Sequence, residues 1–311
     1  MRIHYRPSRV LAAVVIGGIA LAANAAPVNF DLSNSFTSST GYDAWIGPTE
    51  YTYTHWVGST FGDHSLCGGN SRTYAWQDQV PSGETGLPMD GRVTVDVGGT
   101  IWPYQLMTQR EDVPAGGYSS GNTPKALNMF QHHSEGWSLY SGWSEKSLDL
   151  PSAEQGMYEA INFLFTSEPS PDGEKAMRII ARYDDGSDEL IYRDPPSGFA
   201  GDGGIEARWN QSTPDSGDCM QAYHTTANYS QGGSDIFIRD DVHAYMHTFA
   251  SPLVVDPSKI LTGLDIGVYN SANNRTTNIN IFAATGLPVP EPATLGLFAL
   301  AAFVLTSRRG R

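Results

Sequence analysis

The sequence predicts an all-β fold, a β-sandwich of the jelly-roll type with long loops, on three observations. Short runs alternate apolar and polar residues with period two, as in Tyr51-Thr52-Tyr53-Thr54 and Arg92–Val97, so each presents one face to a core and one to water. Stretches rich in glycine and proline separate the runs; the 311 residues include 33 Gly and 19 Pro, the residues that punctuate chains with turns. No stretch sustains a helical period between capping residues, and no internal repeat of fixed length is present. A sheet with one apolar face becomes stable by packing on another layer, which makes a sandwich the natural outcome.

In chain order, Val28–Thr40 alternates within a Ser/Thr/Asn-rich stretch and reads as the opening strand. Tyr42–Trp56 is dense in aromatics, and Gly58–Ser71 is a glycine-rich loop carrying His64 and Cys67. Arg72–Trp76 is a short strand and Pro81–Asp90 a loop. Arg92–Val97 and Ile101–Thr108 are strands, with Gly98-Gly99 turning the chain between them. Glu111–Pro124 is a long loop, followed by short strands at Ala126–Phe130 and Trp137–Trp143 and a strongly apolar one at Met157–Thr166. Lys175–Asp184 and Ser187–Arg193 form the clearest hairpin, because Asp185-Gly186 is a dipeptide that tight primed turns prefer. Asp194–Ser234 reads as irregular, Ile236–Ala250 and Ile260–Asn270 as strands, and Thr276–Thr285 as the strand that closes the domain.

The hairpin run Arg182-Tyr183-Asp184-Asp185-Gly186-Ser187, the later turn Asp256-Pro257-Ser258-Lys259-Ile260 and the terminal run Asn280-Ile281-Phe282-Ala283-Ala284-Thr285 are together similar to a galactose-binding-like jelly roll. The likeness spans about 110 residues and consists of strand and turn chemistry, so it implies a fold more than an activity. Modules of that kind commonly bind carbohydrate, which the resemblance sets as an expectation.

Both chain ends read as addresses. Arg2, Arg6 and Arg9 precede the apolar run Val10–Ala23, and Ala23-Asn24-Ala25 is a small-x-small site. Residues 1–25 are therefore a secretory signal peptide, cut between Ala25 and Ala26. At the other end Pro290-Glu291-Pro292 precedes the apolar run Ala293–Thr306 and the basic residues Arg308, Arg309 and Arg311. The prolines keep the tripeptide out of helix. The apolar run spans about 21 Å as a helix against a bilayer core of about 30 Å, and the arginines hold the tail on the cytoplasmic side.

These three features, in this order at the C-terminus, resemble the PEP-CTERM sorting signal. The resemblance implies an exported protein of a Gram-negative bacterium, destined for the cell surface or the extracellular space. It implies an exosortase-type membrane enzyme as partner, after passage through the Sec export machinery. It makes residues 288–311 a hydrophobic sorting helix with a short transmembrane segment, with Pro290, Glu291, Pro292, Arg308 and Arg309 as the recognised residues. The sandwich is then expected within residues 26–287.

Six of the nineteen basic residues are arginines of the two ends, so the body is more acidic than the net charge of −14 for the whole chain. Such a surface repels nucleic acid and anionic lipid, which excludes DNA or RNA binding. It is compatible with a calcium ion: Asp184, Asp185, Asp188 and Glu189 offer oxygens, although they lack EF-hand spacing and read first as a hairpin turn. No cofactor follows from any motif. The two cysteines, Cys67 and Cys219, lack the spacing of a zinc site. In an oxidising compartment they can form a disulfide, closing a loop of about 150 residues at about 4–5 kcal/mol of stabilisation.

The aromatic content is the best pointer to function: the chain holds 7 Trp and 15 Tyr. Sugar faces stack on indoles and phenols while polar side chains bond the hydroxyls. A tryptophan in a sandwich more often fills the core, and Trp45, Trp137, Trp143 and Tyr245 are the candidates for glycan contact. His243, Tyr245 and His247 alternate, so on a strand they share a face. That face is first the outward side of an edge strand, and otherwise a metal pair or a sugar-binding stripe. Gly117-Tyr118-Ser119-Ser120-Gly121 has the pattern of a nucleophile elbow without the strand and helix that the chemistry needs. His132-His133-Ser134-Glu135 lacks the spacing of a zinc-protease helix. No catalytic residue is assigned. The expectation is a non-enzymatic, carbohydrate-binding protein of the cell surface or extracellular matrix, with extracellular polysaccharide as partner. The alternatives are a secreted glycan-active hydrolase or lyase using loop carboxylates such as Glu135 or Asp149, and a structural matrix protein without a ligand.

Overall fold

The computed structural model describes residues 26–32, 72–106, 127–130, 142–167, 176–194, 218–232, 235–240, 243–270 and 278–290. Ala26–Val289 forms one compact unit. Every helix or strand among the described residues is a strand, and the named strands pair antiparallel.

The largest sheet has seven strands. Its path runs β1 (Val28–Asn29), β16 (Asn278–Pro288), β7 (Tyr158–Ser167), β13 (Ala244–Phe249) and β10 (Cys219–Thr225), with β14 (Leu253–Val254) also on β7 and β5 (Leu127–Phe130) also on β16. A four-stranded sheet is ordered β6 (Gly142–Asp149), β15 (Leu261–Asn270), β8 (Ala176–Tyr183) and β9 (Asp188–Asp194). Two smaller units complete the fold: the ribbon β12 (Asp235–Arg239), β11 (Asn228–Gly232), β2 (Arg72–Tyr74), and the hairpin β3 (Arg92–Val97), β4 (Thr100–Gln105). From β6 onward the chain crosses repeatedly between the two large sheets, the connectivity that a jelly roll requires.

The large sheet is buried on both faces. On one side Ile161, Phe163, Phe165, Phe249 and Ile281 pack against Leu148, Met177, Ile179, Leu264 and Ile266 of the four-stranded sheet. On the other, Leu164, Met246 and Phe282 pack against Trp76, Val93, Val95, Trp102 and Tyr104. This double burial explains why β7 reads as a strongly apolar run while β3 alternates cleanly: β7 has a core on each side, β3 on one. Trp76 and Trp102 are core residues, 0% and 1% exposed. The turns also follow the chemistry of the sequence. Gly98 and Gly99 adopt φ of 62° and 87°, and Gly186 at the tip of the β8–β9 hairpin adopts 79°, values that favour glycine.

A polar network crosses this apolar stack. Asn162 on β7 is fully buried. Its side-chain amide donates to the Phe249 carbonyl at 3.1 Å and accepts the Phe249 N–H at 3.2 Å. β7 and β13 share register only at His247 and Phe165, so the Asn162 side chain supplies the hydrogen bonds that a continuing ladder would have made. The Thr248 hydroxyl also donates to Asn162 Oδ1 at 2.9 Å, which leaves it to accept from the Tyr104 hydroxyl. Burial pushes the Tyr104 phenol well above its usual range.

Two expectations give way. Asp194–Ser234 contains strands, β10 and β11. β10 ends the path of its sheet and needs only partial apolar content, which hid it. Ile236–Ala250 is two strands in different sheets, broken after Arg239, where Asp240-Asp241 disfavours strand. Of the strand expected at Trp137–Trp143, only Gly142 and Trp143 are among the described residues; they open β6, which runs over Gly142–Asp149. Tyr42–Trp56, Gly117–Gly121 and His132–Glu135 lie outside the described residues, as does most of the opening run after Leu32.

Candidate functional site

The outward face of the four-stranded sheet carries a charged ladder. β15 is the second strand, between β6 and β8. Gly267 stands in register with Glu145 on one side and Arg178 on the other, and Gly263 with Asp149 and Arg182. Because these glycines have no side chain, each arginine lies across the middle strand and reaches an acid on the far one. Arg178 pairs with Glu145 at 2.6 Å. Arg182 pairs with Asp149 at 2.6 Å, donates to the Leu148 carbonyl at 2.9 Å, and lies 3.0 Å from the Asp265 carboxylate. Trp143 and Tyr269 are register partners at the end of this ladder, two residues beyond Glu145 and Gly267. The face therefore offers hydrogen-bonding groups held in place by ion pairs.

A second cluster sits where β10 and β13 run side by side. His224 and Tyr245 are cross-strand partners, and their rings stack at 4.3 Å with 8° between planes. His243, just before β13, brings Nδ1 to 2.9 Å from His224 Nε2. Burial, and then the neighbouring His243, lower the His224 pKa below that of an ordinary histidine. His247 is fully buried. β13 lies between β7 and β10, so these residues are not on an edge strand as the alternation had suggested.

The third cluster joins the two turns singled out by sequence. Ser187 bonds Asp185 through its N–H and hydroxyl, and Ser258 does the same with Asp256. Lys259 links the turns, donating to Ser187 Oγ at 2.7 Å and lying 3.1 Å from Asp185. Tyr183 donates to Glu189 and accepts the Asp256 N–H. Burial foremost, with the bond to Glu189, pushes its phenol above the usual range. The carboxylates considered for calcium thus include two, Asp185 and Glu189, that already hold internal partners. Among the described residues no group of three or more His, Cys, Asp or Glu is placed to hold a metal ion.

Of the expected glycan contacts, Trp45 and Trp137 lie outside the described residues, as does Glu135; Trp143 is on β6. Tyr245 has one ring face against His224. Asp149, considered as a loop carboxylate, belongs to a strand and is paired with Arg182. Cys219 is buried at the start of β10 opposite Phe249, and Cys67 lies outside the described residues. Ala26 opens the described body, while Ala25, Glu291, Pro292, Arg308 and Arg309 fall outside it. Among the described residues no helix is long and apolar enough to cross a membrane. Sequence reasoning missed His224 and the ladder. Gly263 and Gly267, four apart in one strand, were the available sign that something passes close above.

β16 ends at Pro288, and the Val289 N–H still donates to the Met157 carbonyl at 2.9 Å. Pro290 follows with no N–H to extend the ladder. Among the described residues the body is all-β, and the Val289 hydrogen bond falls directly before Pro-Glu-Pro. Residues 288–311 match the PEP-CTERM protein-sorting motif. The chain is accordingly an exported, exosortase-sorted protein of the cell surface or extracellular space. No curated protein and no solved structure matches it.

Proposed function

We propose that this protein is a non-enzymatic, polysaccharide-binding component of the surface or extracellular matrix of a Gram-negative bacterium. It leaves the cytoplasm through the Sec machinery and is cut between Ala25 and Ala26. Residues 26–287 then form the working domain, with Cys67 and Cys219 paired in the oxidising compartment. Residues 288–311 carry the short transmembrane sorting segment.

The carrying observation is the placement of Trp143 and Tyr269, in register at the end of the Arg178–Glu145 and Arg182–Asp149 ladder. Sugar binding combines an aromatic platform with fixed polar groups. Trp143 takes the stacking role in this reading and the ladder bonds the hydroxyls. The test is retention of the exported protein on a panel of immobilised polysaccharides. Saturable binding that is weakened at least tenfold by Trp143→Ala supports the proposal. Absence of binding across the panel, or binding indifferent to that change, overturns it.

A further inference from the structure

We propose that His224 and His243 form a two-histidine site for a divalent transition-metal ion that prefers right-angled ligands, Cu²⁺ before Ni²⁺ and both before Zn²⁺. His224 Nε2 and His243 Nδ1 are 2.9 Å apart, one ring donating a hydrogen bond to the other. The ring centroids are 4.9 Å apart with 40° between planes. That nitrogen separation is also the bite of a chelated ion. Two nitrogens about 2.05 Å from a metal and 90° apart are separated by about 2.9 Å, whereas a tetrahedral angle separates them by about 3.3 Å. An ion of square or tetragonal preference enters beside the line between the two nitrogens: the donor ring's proton moves through solvent to its other nitrogen, both imidazoles stay neutral, and each ring turns toward the ion while the nitrogen separation is kept.

The two rings come from different strands, so the sheet sets their separation. His224 is on β10, and His243 immediately precedes β13. Tyr245 fixes the plane of His224 by stacking on it. His243 is exposed, which gives an ion access from solvent. With no third described ligand, water or a dissolved donor completes the coordination. The site belongs to the seven-stranded sheet and uses none of the ladder residues, so it stands or falls apart from polysaccharide binding.

The test is titration of the full chain with Cu²⁺, Ni²⁺ and Zn²⁺ in competition with glycine, with electron paramagnetic resonance of the Cu²⁺ form. We expect one Cu²⁺ per chain bound with hyperfine splitting from two imidazole nitrogens, and an affinity order of Cu²⁺, Ni²⁺, Zn²⁺. His224→Gln and His243→Gln should each weaken this binding at least tenfold, while the double change His132→Ala/His133→Ala leaves it intact. Circular dichroism verifies each variant, and His243→Gln, at an exposed position, keeps the test open if His224→Gln misfolds. Unchanged Cu²⁺ affinity in His243→Gln, or Zn²⁺ bound more tightly than Cu²⁺, overturns the proposal.

Discussion

Arg182 crosses the middle of the four-stranded sheet directly above Gly263. A Cβ at Gly263 would lie 2.3 Å from Arg182 Nη2 and 2.6 Å from the Leu148 carbonyl oxygen. The guanidinium can swing away by giving up Asp149; the carbonyl is backbone and cannot. Gly263→Ala should therefore destabilise the body by about 1–3 kcal/mol, the range for overpacking. Gly267→Ala meets only side-chain atoms, Glu145 Cγ at 3.0 Å and Arg178 Cγ at 3.1 Å, and should cost less. Denaturant unfolding of the two variants decides the matter. An equal or larger loss for Gly267→Ala would show that the arginines, not the backbone, set the tolerance.

Asn162 makes the second prediction. Its amide holds both backbone groups of Phe249 and the Thr248 hydroxyl in a fully buried place. Asn162→Leu keeps approximate volume and strands these groups, each at about 1–3 kcal/mol. We expect a loss of at least about 2 kcal/mol in denaturant unfolding and faster hydrogen exchange at the Phe249 amide. Exchange at Phe249 no faster than in the parent would mean that the Asn162 contact is dispensable to the ladder.

Asn162 also marks where sequence stops being informative. The β3–β4 hairpin and the β8–β9 turn were legible because alternation and Gly-Gly or Asp-Gly chemistry are local, and the observed φ values at Gly98, Gly99 and Gly186 match them. The apolar run of β7 was legible as a strand. That it is buried on both faces was not, because the second layer comes from Val93, Val95, Trp102 and Tyr104, far off in the chain. β10 was invisible for the opposite reason: an edge strand with polar residues looks like loop. Of the candidate sites, the alternation of His243 and Tyr245 was visible, but His224 became their neighbour only through the pairing of β10 with β13.

The clasp between the two turns predicts an acid sensitivity. Hydrogen bonds from Ser187, foremost, and from Lys259 lower the Asp185 pKa to about 2, below the usual carboxylate range, and Ser258 lowers that of Asp256. A carboxyl depressed in the folded state stabilises above its unfolded pKa and loses that contribution as pH falls through the folded one. Asp185→Asn keeps an oxygen for Ser187 and removes the charge facing Lys259. The parent should therefore unfold at a higher temperature than Asp185→Asn at about pH 6, with the gap closing between about pH 4 and about pH 2. A gap that is constant with pH would assign the difference to packing rather than charge. Glu154, raised by burial first, acts in the opposite sense and is common to both proteins, so it cancels in the comparison.

The last prediction concerns the junction with the sorting motif. The Val289 N–H closes the body's hydrogen bonding on the Met157 carbonyl, and Pro290 begins the motif at the next residue. Proline has no N–H to donate to a ladder and disfavours helix at the residue before it. Pro292→Ala restores a donor and removes the restraint on Glu291. Deletion of Arg308–Arg311 removes the basic end of the motif, the charges that would hold a membrane-inserted tail on the cytoplasmic side. Both variants should accumulate uncleaved in the membrane fraction, read as intact C-terminal mass, while the melting temperature of the body stays that of the parent because neither change reaches β16. Normal release of either variant would mean that the enzyme does not read that feature. A shifted melting temperature would mean that the motif is built into the body rather than appended to it.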